Sequence, residues 1–307
     1  MVIDSIPHCI IAGVPRSGST SLYTYLLHHP QICASTTKET QYFLPAGDGL
    51  PLEPLDRYRS YFVLRPGQTH TLEASPSYFY GGARTARAIW ETLGPTRLIF
   101  ILRDPAHRFY SYFTHDKMYG LLPRDLTFED FLQAPATRSA NLIGSGYYLD
   151  YFQAWHDQFA GYIHLIFFDD LIRQPGAVMD GLTSWLGIEA DFYANYTFTQ
   201  ENRGAVSKSK RLNTWARAIN MRFEHFWRRN LALKRRLRGI YYAFNEAKTQ
   251  SSGLSPETAA YLTAHYRPYN DRLYAWLQAH GYPISGWLAA YAPVSSPAAN
   301  PTGPESD

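Results

Sequence analysis

Residues 8–29, HCIIAGVPRSGSTSLYTYLLHH, constrain this chain more than any other stretch. His8 to Val14 form an apolar run that fits a buried strand, and Leu22, Tyr25, Leu26 and His29 then recur at helical spacing. Between the two lies a polar turn rich in Gly and Ser. A strand that ends in such a loop and feeds directly into a helix presents free backbone N–H groups and a positive dipole end to whatever sits there. The stretch therefore predicts an anion cradle.

Gly13, Gly18, Ser19 and Thr20 have the spacing of a phosphate-binding GxxxxGK[ST] loop, except that Ser19 holds the lysine position and the cation, Arg16, lies earlier in the loop. The departure argues against a nucleoside-triphosphatase while leaving phosphate as a candidate ligand. Taken alone, the stretch also fits an ordinary β–α turn.

The 307 residues suffice for a large core, and 45% apolar with 18% charged residues is a globular composition, as is a mean hydropathy of −0.31. No apolar run reaches the roughly 18 to 20 residues of a membrane-spanning helix, and Cys9 to Val14 is too short for a signal-peptide core. Two cysteines, Cys9 and Cys33, make no disulfide framework and suit a reducing cytoplasm. A net charge of +3 is too slight to predict a nucleic-acid partner. The aromatic content of 16%, with 24 tyrosines, suits surfaces that receive a flat or ring-shaped ligand.

Further along, Thr69 to Ala74, Arg97 to Leu102 and Tyr162 to Phe168 read as strands. Helices are expected over 57–64, 83–93, 106–118, 126–132, 149–159 and 178–186, with Asp104 capping and Pro105 opening the one that follows the third strand. Alternating strands and helices predict an α/β three-layer sandwich around a central parallel sheet. Lys208 to Lys248 is basic and helix-prone, Ser255 to His280 reads as an amphipathic helix, and 295–307 as a disordered tail. No linker divides residues 1–294, so one domain is expected, with 209–294 as a mostly helical extension.

In an open parallel sheet the ligand lies beyond the carboxyl ends of the strands. The first strand is followed by the Arg16 loop, the second by Ser75 to Tyr80 and the third by Arg103. A magnesium-dependent nucleotide enzyme wants a carboxylate at such a strand end; here an arginine stands there. Arg103 and, two helical turns on, Ser111 could reach one oxyanion, or Arg103 could simply pair with a carboxylate.

GVPRSGSTSL followed by LIFILRDPAHRFYSYF resembles the sulfotransferases that use 3'-phosphoadenosine 5'-phosphosulfate (PAPS), and the likeness continues through KETQYF, LEASPSYF, SGYY, IHLIFFDDLIRQP and VSKSKRL. It is similar in style to the heparan sulfate N- and O-sulfotransferases and to bacterial sulfotransferases. The resemblance implies a P-loop-like fold, PAPS as donor, adenosine 3',5'-bisphosphate as product and no required metal. It places Arg16 with Ser17, Gly18, Ser19, Thr20 and Ser21 on the 5'-phosphosulfate, and Arg103 with Ser111 on the 3'-phosphate. Tyr148 also matches a cofactor-site tyrosine. Lys208, Ser209 and Lys210 match a Lys-Gly-Arg loop closing over the cofactor, with Ser209 in place of glycine and Lys210 in place of arginine.

Sulfuryl transfer gathers negative charge on the departing 5'-phosphate, where Arg16 would act, and the acceptor needs a base. The resemblance of Lys38 to Phe43 points to Glu39; His115 is the rival, falling where the N-sulfotransferase type has a histidine. Where the heparan sulfate 3-O-type enzymes have a Glu-Lys-Thr-Pro turn this chain has Glu73-Ala74-Ser75-Pro76, so the lysine is lost, and Glu73 is expected to orient a basic side chain or to bind the acceptor. Acceptor contacts are expected from the segments 42–62, 77–80 and 112–122. A small molecule or a carbohydrate is the expected acceptor, and a bacterial cytoplasmic enzyme the expected setting. A P-loop kinase and a silent nucleotide-binding protein are the alternatives.

Overall fold

The computed structural model describes residues 3–123, 125–133, 137–199 and 253–292. Five parallel strands form one sheet: β1 (His8–Gly13), β2 (Ile32–Ala34), β3 (His70–Ala74), β4 (Thr96–Leu102) and β5 (Ile163–Phe167), in the order β2-β3-β1-β4-β5. The long apolar strands are the central ones because both of their faces are covered. Successive side chains alternate between faces. Ile10, Ala12, Leu98 and Phe100 pack on one side with Ile89, Phe152 and Trp155; Cys9, Ile11, Ile99 and Ile101 pack on the other with Leu22, Leu26, Leu182 and Leu186. The result is the expected three-layer sandwich.

The helices that build these layers are α1 (Ser19–Leu27), α2 (Leu44–Gly47), α3 (Leu55–Arg59), α4 (Gly82–Leu93), α5 (Pro105–Met118), α6 (Phe128–Gln133), α7 (Thr137–Gly144), α8 (Tyr148–Phe159), α9 (Phe168–Arg173) and α10 (Pro175–Leu186). A further helix, α11 (Pro256–Ala279), is capped by Ser255. It sends Leu273 and Leu277 into the core over one sheet face and Leu262 and Tyr266 against Phe109 and Phe113 of α5. Helix α5 is thus braced from outside the sheet.

The short edge strand β2 and the helix α9 depart from the sequence expectation. Three residues are too few for a periodic signal, and Phe168, read as the end of a strand, instead opens α9. The segment after β3 forms a 3-10 helix, Pro76–Gly81. Lys208, Ser209 and Lys210, the basic segment around them and the tail 295–307 lie outside the described residues. No helix among the described residues is long and apolar enough to cross a membrane.

Candidate active site

The order of the sheet reverses beside β1, whose neighbours are β3 on one side and β4 on the other, and such a switch point opens a crevice at the carboxyl ends of the strands. There a cleft of about 350 Å³ is lined by the β1–α1 loop (Pro15, Arg16, Gly18 to Ser21), Arg103 after β4, and Phe168 and Ile172 of α9. Glu39, Pro76, Ser77, and Ser111, Tyr112 and His115 of α5 complete the wall. Nine residues assigned on the phosphosulfate, the 3'-phosphate and the acceptor by their motifs therefore meet in one space: Arg16, Gly18, Ser19, Thr20, Ser21, Arg103, Ser111, Glu39 and His115.

The loop is shaped for an anion. Gly18 adopts φ 87 as the N-cap of α1, with no side chain capping the helix, so the first amides of α1 are open to the cleft side. A Cβ on Gly18 would stand 3.1 Å from both Leu171 and Phe168 in addition to requiring a left-handed backbone. Arg16, not a glycine, also has a positive φ of 69. Backbone held in that region costs of order 1 kcal/mol or more and tends to collect at functional sites. Its Nε is buried with no hydrogen-bond partner, as is Ser17 Oγ.

Arg103 does more than face the cleft. Its Nη1 donates to the Arg16 carbonyl at 2.9 Å, its guanidinium lies 4.4 Å from the centre of the Phe168 ring, and its own carbonyl accepts from Tyr148 Oη at 2.6 Å. The strand-end arginine thereby fixes the loop arginine. Burial lowers the pKa of both guanidiniums, and the Arg16 charge lowers that of Arg103 further. Two desolvated cations side by side favour an anionic partner.

Tyr148 is buried and does not line the cleft; its link to the site runs through the Arg103 carbonyl. Ser17 is likewise buried behind the loop. Glu39 is exposed and receives Lys38 Nζ at 2.6 Å, and its φ is 62. His115 lies against Tyr119, ring centres 4.3 Å apart and planes tilted by 50°, with Nδ1 3.4 Å from Asp116 Oδ1. Glu73 corrects an expectation: it is fully buried among hydroxyls rather than facing a basic side chain or the cleft. Of the segments expected to meet an acceptor, 77–80 supplies Ser77 and 112–122 supplies Tyr112 and His115, while 42–62 supplies no lining residue. Phe168 and Ile172 were not anticipated; the strand-end rule, applied to β5 as it was to β1, β3 and β4, points to them.

A parallel sheet with two desolvated guanidiniums and a helix N-terminus at its switch point defines an α/β protein with a cleft suited to an anion. The family follows from comparison. The Sulfotransferase domain family model matches residues 6–236, and the chain belongs to the sulfotransferase family. It is 26% identical over 306 residues to the bifunctional heparan sulfate N-deacetylase/N-sulfotransferase 2 of Bos taurus, across 93% of this chain and 31% of that protein. The human N-deacetylase/N-sulfotransferase 3 is 23% identical over 311 residues, with the same coverage of both. The chain thus spans about a third of the length of these curated relatives. Among solved structures, a sulfotransferase from Alicyclobacillus acidocaldarius superposes with a TM-score of 0.61 at 18% identity, covering 93% of this chain and 98% of the other. At that identity the likeness is one of fold.

The family's sulfuryl donor is PAPS, anionic at both its 5'-phosphosulfate and its 3'-phosphate. The residues present fit it. The unpartnered Arg16 Nε and the uncapped α1 amides suit one anionic end, and Arg103 with Ser111 on the same cleft suits the other.

Proposed function

We propose that this protein transfers a sulfuryl group from PAPS to a hydroxyl or amine of a carbohydrate or small-molecule acceptor. The carrying observation is the convergence of Arg16, Arg103 and Ser111 with Glu39 in one cleft, two cations and one carboxylate around a helix N-terminus. PAPS, when bound, supplies the sulfuryl group and an adenosine bisphosphate leaving group. Arg16 and the amides of residues 17–21 neutralise the charge that gathers at the 5'-phosphate. Arg103 and Ser111 hold the 3'-phosphate and fix orientation.

Glu39 accepts the acceptor's proton, with Lys38 steadying its carboxylate at 2.6 Å. A second reading makes His115 the base, since it lines the same wall. The names of the N-sulfotransferase relatives favour an amine-bearing sugar as one acceptor class; Tyr112, Pro76 and Phe168 around the opening suit a ring. The two free, buried cysteines, the Cys9 thiol pushed up to about 12 by burial, support a reducing cytoplasmic setting.

Turnover measured as acceptor mass gain of one SO3 tests the reading. Glu39→Gln is expected to lower kcat by about 100-fold or more while adenosine 3',5'-bisphosphate binds as before. A fully active Glu39→Gln beside an inactive His115→Ala would pass the role to the histidine.

A further inference from the structure

Glu73, on β3, is a buried carboxylate that the transfer chemistry leaves unused. It is completely shielded from solvent, and its carboxyl accepts hydrogen bonds from Thr40 Oγ1, from Ser75 Oγ at 3.1 Å and from Tyr78 Oη at 3.4 Å. The Tyr58 hydroxyl also favours its ionised form. Those hydroxyls face two ways. Gln41 N–H donates to Ser75 Oγ at 3.1 Å, Tyr42 N–H to Thr40 Oγ1 at 3.4 Å and Phe43 N–H to Tyr78 Oη at 3.1 Å.

Three consecutive amides of the loop after Glu39 thus end on hydroxyls that themselves end on Glu73. Glu39 N–H is tied to the same strand, donating to the Ala74 carbonyl at 2.9 Å. The loop needs such restraint because Glu39 and Gln41, neither a glycine, have φ of 62 and 54. Left-handed backbone at two non-glycine residues persists only where surrounding contacts over-determine it. A carboxyl suits the task, since its two oxygens together offer about four acceptor positions to the converging hydroxyls.

We propose that Glu73 is a positioning residue for the transfer, its carboxyl holding residues 39–43 in the strained conformation that presents Glu39 to the cleft. This rests on Glu39 acting as the base. Thr40 is the contact through which it is tested most gently, because Thr40→Val removes one hydroxyl from a half-buried loop and leaves the core intact.

Thr40→Val is expected to lower kcat by about 10- to 100-fold at unchanged KM for PAPS, as a small misplacement of a reacting group does. The amides of Gln41, Tyr42 and Phe43 should exchange hydrogen faster in Thr40→Val, and faster again in Glu73→Ala, with Glu73→Gln between wild type and Glu73→Ala. In a Glu39→Gln background, Thr40→Val should add no further loss, because it acts through the carboxylate already removed. Unchanged kcat in Thr40→Val, an equal loss in both backgrounds, or unchanged exchange at residues 41–43 in Glu73→Ala overturns the proposal. A fully active Glu39→Gln sinks the base reading instead, and the exchange data then still decide whether Glu73 holds the loop.

Discussion

Replacing Glu73 by glutamine should change how stability depends on pH. Burial pushes the Glu73 carboxyl up from an ordinary 4.5 to about 7, against the lowering effect of the Thr40, Ser75, Tyr78 and Tyr58 hydroxyls. Its folded pKa is above its unfolded one. The stabilisation linked to the bound proton is therefore complete below the unfolded value and is lost as pH rises through about 7. Between about pH 5 and pH 8 the wild type should lose roughly 2 to 3 kcal/mol from this group alone.

The neighbouring Tyr58 and Tyr78 hydroxyls are raised well above their usual range by burial, so they do not titrate in that window. Glu73→Gln removes the titrating group and keeps its shape, and groups common to both proteins cancel in the comparison. Any hydrogen bond weakened by the amide shifts both ends of the curve equally. The assay is thermal unfolding of both proteins at the two pH values, and at about 2 °C per kcal/mol for a chain of this size the difference of differences is roughly 5 °C. Parallel pH profiles for the two proteins would refute the reasoning.

Two further substitutions probe the cradle. Gly18→Ala forces an L side chain to φ 87 with its Cβ 3.1 Å from Leu171 and Phe168; stability should fall by about 1 to 2 kcal/mol and nucleotide affinity by about 10-fold, read by denaturation and calorimetry. Tyr148→Phe removes the 2.6 Å hydrogen bond to the Arg103 carbonyl and should cost about 1 kcal/mol of stability, with affinity for adenosine 3',5'-bisphosphate falling several-fold and kcat at saturation unchanged.

What the sequence made legible follows from how each feature is encoded. β1, β4 and β5 are continuous apolar runs because both faces of the sheet are covered, and Asp104-Pro105 marks the start of α5 with local chemistry, the Asp104 carboxylate accepting from His107 N–H at 2.8 Å. Arg16, Arg103 and Ser111 sit in short motifs at strand ends, so their meeting in one cleft was readable before any coordinates. β2 has no such signal in three residues, and Phe168 is as apolar as the strand before it, which hid its turn into α9, although the strand-end rule applied to β5 points to it as a wall of the cleft. The Glu73 hub was beyond reach for a different reason. Ser75 and Tyr78 follow Glu73 closely in the chain, but Thr40, 33 residues away, and Tyr58 are brought to it only by the pairing of β3 into the sheet and the return of the loop that precedes it. The positive φ of Arg16 and Glu39 leaves no mark on residue identity at all.

In the proposed function Arg16 and Arg103 divide one cleft between the two anionic ends of a 3'-phosphorylated adenine nucleotide. Calorimetry of adenosine 3',5'-bisphosphate against adenosine 5'-monophosphate, without added metal, tests it directly. The wild type should prefer the bisphosphate by at least about 10-fold, the worth of one charge-assisted phosphate contact, and Arg103→Ala should erase that preference while Arg16→Ala weakens both nucleotides alike. Equal affinity of the wild type for the two nucleotides, or a preference that survives Arg103→Ala, would contradict the account.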